Sequence, residues 1–213
     1  MFEKLYYIVP ISNLNGIFKY GKVFSRNNAK KEGLIIEDPS DKDVQKRRAN
    51  KVIYETCRNS FTLHDYVNLY INPRNAMLYR YLKTKKKIAI LEFSGDLLLK
   101  KFRYVRFSFK NASAEDAIIT ESPNLIRENI QKIFSSSWNG DEELKKVMQS
   151  EVLVFGYVPI DFLESIIVPS KHIEEVKKLV KKYELNIHVL SKSNKIEDIF
   201  FEKWFKEGFQ WIT

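Results

Sequence analysis

The carboxylate with the clearest chemical potential is Glu151, which begins a strongly apolar predicted strand after the loop-like residues 135–141 and a short helix. A carboxylate at a strand start that faces a cleft can accept a hydrogen bond and stabilise positive charge that develops during a reaction. The same position also suits an ordinary solvent-exposed strand end. Glu151 is therefore a candidate catalytic residue, and its role depends on what packs around it.

A run of basic residues in a predicted helix, capped by Asp41 or Asp43 and running to about residue 55, offers guanidinium groups to an anionic ligand. Arg48 lies on the helical stripe nearer the apolar residues Val44 and Val52, whereas Arg47 lies on another stripe. A planar guanidinium binds phosphate through paired hydrogen bonds that a lysine cannot reproduce. The run indicates either a phosphate site built on one arginine or a solvated basic face.

Residues 63–82 combine a predicted strand at 66–71, a polar corner and the start of a helix. Pro73 breaks the strand because it lacks an N–H and disfavours the helical region for the residue before it. An exposed helix N-terminus beside Arg74 suits an anion. The alternatives are that Arg74 binds an anion, that it braces the corner, or that the stretch is an ordinary buried strand and turn.

A basic stretch with interleaved aromatic residues follows. From Arg80 to Arg106 there are nine basic residues and two acidic ones. Cationic groups interleaved with rings that can stack suit single-stranded nucleic acid, and Lys86 and Arg103 are the candidate contacts. The competing interpretation is a β-hairpin with an ordinary basic outer face.

Trp138 lies in the most loop-like part of the chain, residues 135–141. A tryptophan on a polar loop serves either as a lid over the packed body or as a contact for a substrate. It joins the candidate substrate-binding residues.

The composition favours a polyanionic partner. The formal net charge is +9 and the sequence pI is near 9.4, and neutralising phosphates supplies affinity that does not depend on sequence. Biased codon usage would also enrich lysine, so the charge alone does not decide whether the partner is a polyanion.

Cys57 is the only cysteine, which excludes an internal disulfide and a thiolate zinc site. The histidines lack metal-ligand spacing, and we expect a cytoplasmic protein without a metal.

The length and the order of predicted elements indicate one mixed α/β domain, residues 1–213. Residues 26–39 are predicted to be a loop, and residues 97–109 a mixed extended segment. Strands are predicted at 5–9, 66–71, 88–93, 117–120, 150–155 and 185–190. Helices are predicted at 13–20, 43–55, 125–134, 142–149 and 171–183.

Three stretches in chain order resemble one family. Residues 63–81 are similar to its signature DYVPFYF-x-PRSPMLY and read LHDYVNLYINPRNAMLYRY. Residues 147–159 resemble its RQAEFLV…VP segment and read VMQSEVLVFGYVP. Residues 4–25 resemble its opening YHITHxxNLxxIxxxGL and read KLYYIVPISNLNGIFKYGKVFS. The chain therefore resembles the DarT family of DNA ADP-ribosyltransferase toxins over nearly its whole length.

The resemblance implies an ADP-ribosyltransferase fold, a compact α/β body whose split, mostly antiparallel sheet clasps NAD+ as a substrate. The family's catalytic glutamate falls on Glu151, and its essential arginine falls on Arg48, with Arg47 as the neighbouring alternative. The cofactor-binding candidates are Tyr7, Asn13, Arg47, Tyr70, Met77, Leu78 and Tyr79. The substrate-binding candidates are Arg74, Trp138, Lys86 and Arg103.

The chain departs from the family pattern at the end expected to hold nicotinamide. The first His of the opening motif is Tyr7 here, its Thr is Val9 and its second His is Pro10. The family's TDGN turn is matched only approximately, at residues 120–124. These differences suggest a divergent branch, with a different target base or RNA as the acceptor.

The implied activity is transfer of ADP-ribose from NAD+ to a base of single-stranded DNA, with release of nicotinamide. The implied role is that of a toxin in a toxin–antitoxin or phage-defence system, with a macrodomain antitoxin as partner. The alternatives are transfer to RNA or protein, NAD+ hydrolysis without transfer, and a catalytically silent nucleic-acid-binding module.

Overall fold

The computed structural model of the chain describes residues 2–34, 42–84 and 87–191. The longest helix in these ranges, Ile173–Lys182, has ten residues, and none of the helices there is long and apolar enough to cross a membrane. The α-helices are α1 (Leu14–Tyr20), α2 (Arg26–Lys31), α3 (Lys42–Asn50), α4 (Ala76–Lys83), α5 (Asn124–Glu128), α6 (Ile130–Ile133), α7 (Glu142–Val147) and α8 (Ile173–Lys182). The strands are β1 (Lys4–Pro10), β2 (Lys22–Phe24), β3 (Val52–Thr56), β4 (Asn59–Thr62), β5 (Tyr66–Tyr70), β6 (Ile88–Ser94), β7 (Val105–Phe109), β8 (Ile118–Thr120), β9 (Glu151–Phe155), β10 (Tyr157–Pro159), β11 (Leu163–Ile167) and β12 (His188–Leu190).

An eight-stranded sheet organises the fold, in the order β12-β11-β6-β1-β5-β9-β7-β8. Every neighbouring pair is antiparallel except β11 and β12. Strand β1 pairs with β6 along its whole length, but it pairs with β5 only at Tyr6 and Tyr70. The sheet therefore has two halves, and this single pair is the only place, within the described residues, where β1 and β5 join them. This arrangement confirms the predicted split, mostly antiparallel sheet.

The two faces of the sheet have different surroundings because side chains alternate along a strand. Val152 and Val154 point into the largest apolar cluster, which also contains buried residues of α1 and α8. Leu153 lies in a smaller cluster on the opposite face, together with Ile53 of the β3–β4 hairpin. Glu151 shares the face of Leu153, so its side chain points away from the main core.

The structure corrects several predicted boundaries. Residues 26–31 form a helix instead of a loop, and the Ser25 side chain caps it by accepting a hydrogen bond from the Asn28 N–H at 3.4 Å. The helix predicted at 43–55 ends at Asn50, and the chain continues as the β3–β4 hairpin. Residues 52–56 read Val-Ile-Tyr-Glu-Thr, a β-branched and aromatic composition that favours a strand once it can pair. The helix predicted at 125–134 is divided into α5 and α6.

Candidate active site

Glu151 is completely buried at the start of β9, where β9 lies between β5 and β7. Its backbone pairs with Tyr70 on one side and with Ser108 on the other. The carboxylate accepts two hydrogen bonds, at Oε1 from the Ala112 N–H at 3.2 Å and at Oε2 from Nη1 of Arg48 at 3.4 Å. The candidate catalytic group is therefore held on both oxygens at the point where the sheet divides.

Arg48 is the buried residue of α3, with 7% of its surface exposed. One guanidinium nitrogen, Nη1, contacts Glu151. The other, Nη2, is buried and finds no hydrogen-bond partner among the residues that the structure describes. An unsatisfied buried donor costs about 1–3 kcal/mol or more when charged, so an anionic oxygen brought by a ligand would stabilise this arrangement.

Burial and the neighbouring charges act on the pKa of Glu151 in opposite directions. Burial raises the pKa of the Glu151 carboxyl, while Arg48, the Ala112 N–H and Lys51 oppose that rise. Burial and the nearby Glu151 charge raise the pKa of the Tyr70 phenol well above its usual value. Burial likewise raises the pKa of Tyr7, against the opposing charge of Arg48. Both phenols are therefore neutral hydrogen-bond donors at ordinary pH.

The polar corner after β5 positions the start of α4. The Asn75 side chain caps the helix by accepting hydrogen bonds from the N–H groups of Met77 and Leu78, at 3.0 and 3.1 Å. The Tyr70 hydroxyl donates to the sulfur of Met77 at 3.0 Å. These contacts connect the strand that flanks Glu151 to the helix that lines the cleft.

Three adjoining cavities follow the division of the sheet. We name them by a lining residue: the Trp138 cavity of about 1050 Å³, the Arg48 cavity of about 130 Å³ and the Tyr20 cavity of about 440 Å³. The first two share the lining residues Val44, Tyr70, Met77, Tyr81 and Asn111. The last two share the lining residues Tyr7, Val9, Asn13 and Phe24. The cavities therefore form one continuous groove with Arg48 near its middle.

The structure brings most of the predicted site residues to this groove. Tyr7, Asn13 and Arg48 line the Arg48 cavity, and Tyr70 and Met77 line both it and the Trp138 cavity. The Trp138 cavity is also lined by the predicted residues Arg47, Tyr79 and Trp138.

Trp138 is part of the body of the protein and is not displayed on its surface. Its side chain is 3% exposed and packs in the second apolar cluster. The ring of Tyr79 meets the indole edge-on with centroids 6.1 Å apart, and Nζ of Lys145 lies 6.0 Å from the indole. The indole therefore forms a fixed wall of the Trp138 cavity, with a cation above it.

Four of the predicted site residues that the structure describes do not line the three cavities: Glu151, Leu78, Arg74 and Arg103. Glu151 contacts Arg48, which lines the Arg48 cavity. Leu78 is fully buried in the second apolar cluster and packs α4 against the body. Arg74 lies at the corner, where its N–H donates to the side-chain oxygen of Asn72 at 2.9 Å. The donor is the backbone N–H, so this contact does not decide between Arg74 as an anion ligand and Arg74 as a brace. Lys86 lies outside the described residues.

The basic stretch beyond β6 divides into a buried and an exposed part. Arg106 is buried and paired with Glu55 and, at 2.8 Å, with Glu121, so it does not face a nucleic-acid backbone. Arg103 is exposed, and its guanidinium lies 5.2–5.5 Å from the centroids of three aromatic rings. The three rings are those of Phe61, Tyr104 and Phe155.

The turn after β7 lies beside Glu151, and its residues were not among the site residues predicted from the sequence. Ser108-Phe109-Lys110-Asn111 leads directly to the Ala112 N–H that contacts Glu151, and Asn111 lines two cavities. Lys110 adopts a left-handed backbone with φ of 73°, the conformation that the glycine of TDGN would favour. The sequence signal that could have identified this turn is a hydroxyl residue near the end of a predicted extended segment, with an asparagine three positions later.

The division of the sheet, the Arg48–Glu151 pair buried beside it and the groove across it define a protein of the ADP-ribosyltransferase fold class. A family model described as "ssDNA thymidine ADP-ribosyltransferase, DarT" matches residues 6–201. The chain therefore belongs to the DarT family.

Characterised relatives and solved structures agree with this assignment. A DNA ADP-ribosyl transferase of Thermus sp. (strain 2.9) is 28% identical over 84% of this chain and 88% of its own length. The structure of Thermus sp. 2.9 DarT with ADP-ribosylated ssDNA superposes with a TM-score of 0.77 at 24% identity, covering 89% of this chain and 93% of that one. A transferase–glycohydrolase fusion protein of Thermosipho africanus (strain H17ap60334) is 26% identical over 85% of this chain and 45% of its own length.

Proposed function

We propose that the protein transfers ADP-ribose from NAD+ to a thymidine base of single-stranded DNA and releases nicotinamide. The observation that carries the proposal is the buried Arg48–Glu151 pair at the division of the sheet, with one guanidinium nitrogen still without a partner. The description of the family, and the structures of Thermus sp. 2.9 DarT in complex with NAD+ and with ADP-ribosylated ssDNA, support the choice of both substrates.

The sizes of the cavities suggest how NAD+ is divided along the groove. Binding sites for small molecules usually have volumes of about 300–1,000 Å³, so the Arg48 cavity of about 130 Å³ cannot hold a dinucleotide alone. We place one end of NAD+ there, beside Tyr7 and Asn13, and the other end in the Tyr20 cavity. Nη2 of Arg48 would then bind the pyrophosphate or a neighbouring ribose through a charge-assisted hydrogen bond.

The chemistry follows from the position of the carboxylate. Breaking the bond between ribose and nicotinamide leaves positive charge on the ribose, and the electron pair departs with neutral nicotinamide. Glu151 would accept a hydrogen bond from a ribose hydroxyl and stabilise that charge. The attacking base nitrogen then forms the new bond to the ribose, and Glu151 takes the proton that the nitrogen loses.

The Trp138 cavity is the place that we assign to the acceptor base. Tyr79 and Trp138 supply aromatic walls, and base–aromatic stacking contributes about 1–3 kcal/mol per base. Arg47 and Lys145 line the same cavity and would neutralise the phosphates beside the base. Because this cavity shares Tyr70 and Met77 with the Arg48 cavity, a base there would lie next to the reacting ribose.

Intact-mass measurement of oligonucleotides tests the proposal directly. Purified protein and NAD+ should add the mass of one ADP-ribosyl group to a single-stranded DNA that contains thymidine. A matched oligonucleotide with every thymidine replaced by cytidine should not react. Unmodified DNA together with released nicotinamide would show NAD+ hydrolysis instead, and modification of RNA alone would identify a different acceptor. Either result would refute the proposed reaction.

Arg103 is proposed to contact the strand outside the groove. Its guanidinium is exposed and already oriented by three rings, so it can bind a phosphate with little loss of side-chain freedom. We expect Arg103→Ala to raise the KM for DNA about 3- to 10-fold, the scale of one charge-assisted contact near the surface, and to lower the salt dependence of binding. The KM for NAD+ should not change. The exposed neighbour variant Lys101→Ala is the matched control, and an equal effect of both variants would argue against a specific contact.

Three broader proposals complete the assignment. The described strands of the main sheet come from along the chain between residues 4 and 190, which supports a single catalytic domain. A cytoplasmic location is proposed because NAD+ and single-stranded DNA are both found there. The Thermosipho relative, which joins a transferase to a DNA ADP-ribosyl glycohydrolase, supports the role of a toxin opposed by a macrodomain-type antitoxin.

A further inference from the structure

Lys51 is a partly buried lysine beside the candidate active site that the mechanism above does not use. It follows the last residue of α3 and lies three positions after Arg48, a spacing that puts both residues on one side of the helix. Its Nζ donates a hydrogen bond to the carbonyl oxygen of Ala114. The side chain therefore connects the end of α3 to the turn that follows β7.

That turn, residues 110–114, also carries the N–H that holds Glu151. Ala112 donates to Oε1 of Glu151 at 3.2 Å, two residues before the carbonyl that Lys51 binds. The turn is tied internally as well, because the Ala114 N–H donates to the Asn111 carbonyl at 2.8 Å. A displacement of Ala114 would consequently move the Ala112 N–H relative to the carboxylate.

The other end of the turn is attached to the residue that precedes Glu151. The Lys110 N–H donates to the Ser150 hydroxyl oxygen at 3.0 Å, and the Ser150 hydroxyl donates to the Val147 carbonyl at 2.7 Å. The turn is thus fixed near β9 by Ser150, while Lys51 fixes its far side. Lys51 holds the turn through its charged side chain, whereas Lys110 contributes a backbone N–H, so removal of the Lys51 side chain changes the electrostatics as well as the geometry.

The charges around Glu151 identify Lys51 as a second cation for the carboxylate. Arg48 faces it from α3, Tyr70 from β5 and the Ala112 N–H from the turn after β7. Arg48 is the main charge that opposes the rise in the Glu151 pKa, and Lys51 adds to its effect. The charged state of Lys51 is in turn supported by Asp116, Glu115 and Glu151. Burial lowers the pKa of Lys51, which is the desolvation expected of a lysine directed inward.

We propose that Lys51 is a positioning residue of the transferase: it holds residues 110–114 so that the Ala112 N–H stays on Glu151, and it supplies the second positive charge near that carboxylate. The inference rests on the proposed function, because it concerns how the reacting carboxylate is kept ionised. Lys51 acts through Glu151 and the turn, and not through contact with the substrates.

The pH profile of kcat tests this role. In Lys51→Met the loss of a cation should raise the pKa of Glu151, so its ionised fraction at a given pH falls and the acidic limb of the profile moves up by about 0.5–1 pH unit. A shift of that size lowers kcat about 3- to 10-fold on the acidic side, and the deficit should shrink at higher pH. The KM for NAD+ should stay close to that of the wild type, because Arg48 is intact.

Three further variants separate charge, geometry and folding. Lys51→Arg retains the charge and a donor and should restore the position of the acidic limb. Lys51→Gln retains a donor without the charge, so it should shift the limb, and it gives the same test if Lys51→Met does not fold. Lys46→Met, which removes an exposed lysine of the same helix, should leave the profile unchanged.

The possible outcomes are distinguishable. An active wild type with unshifted profiles in both Lys51→Met and Lys51→Gln would overturn this inference and leave the proposed function intact. The inference would also be wrong, with the proposed function intact, if the loss in kcat were equal at every pH and Lys51→Arg did not restore kcat. That pattern is expected of a purely structural residue. A folded wild type that modifies no oligonucleotide would overturn the proposed function, and this inference with it.

Discussion

Glu151→Gln is expected to lower the rate of ADP-ribosyl transfer by at least about 100- to 1,000-fold, the scale on which removal of one electrostatic stabiliser acts in a buried active site. The substitution preserves the shape of the side chain and leaves an oxygen for the Ala112 N–H. It removes the negative charge that would stabilise the ribose cation and the site that accepts the proton. Single-turnover transfer to a thymidine-containing oligonucleotide, followed by intact mass, measures the loss.

The Glu151→Gln variant must be shown to fold and to bind NAD+. Glu151 is completely buried and touches Arg48, and removal of one partner of a buried ion pair can cost several kcal/mol of stability. Thermal unfolding and calorimetric titration with NAD+ are therefore the companion measurements. Glu128→Gln, which neutralises an exposed carboxylate on α5, is the matched control. Transfer by Glu151→Gln within about 10-fold of the wild-type rate would exclude Glu151 as the essential charge.

The sequence is sufficient to predict the parts of this site that are specified locally. Strand β5 follows from its β-branched and aromatic residues, and the corner after it follows from Pro73. Asn75 then caps α4, as its short polar side chain favours. Such features depend only on residues a few positions away in the chain, so the local sequence is enough to predict them.

The burial of Glu151 could not be read in the same way. Locally it resembles the exposed end of a strand, and it becomes buried because β5 and β7 flank β9 in the sheet. The order of those strands depends on contacts between residues far apart in the chain, for which the local sequence carries no signal. The resemblance to a family identified Glu151 by another route, without explaining its surroundings.

Leu78 and Lys110 show two further limits. Consecutive residues of an α-helix point about 100° apart, so three neighbours such as Met77, Leu78 and Tyr79 cannot all face one cavity, and the middle residue is the one that packs inward. Lys110 takes a left-handed backbone that usually indicates glycine. Its side chain gives no hint of that conformation, so the local sequence did not indicate that the turn at Ser108–Asn111 would lie beside Glu151.

Arg48→Lys should raise the KM for NAD+ by about 10- to 100-fold, which corresponds to one charged hydrogen bond of about 1.5–3 kcal/mol. The physical reason is that the two terminal nitrogens of the guanidinium have different roles: Nη1 contacts Glu151, while Nη2 remains for a ligand. A lysine ammonium is a compact point charge on a flexible stem and cannot hold the same two directions at once. Steady-state kinetics with NAD+ as the varied substrate measure the effect, and Arg127→Lys, on the exposed surface of α5, is the control.

A comparison of KM and kcat in two variants then tests whether Arg48 both binds NAD+ and supplies positive charge beside Glu151. Lysine retains a positive charge beside Glu151, so kcat of Arg48→Lys should fall less than kcat/KM. Arg48→Met removes the charge as well, so burial raises the pKa of Glu151 unopposed by its nearest cation, and kcat at neutral pH should fall too. Equal kcat in the two variants would mean that Arg48 serves NAD+ alone. A larger rise in KM for Arg47→Lys than for Arg48→Lys would transfer the phosphate-binding role to Arg47, whose side chain lines the neighbouring Trp138 cavity.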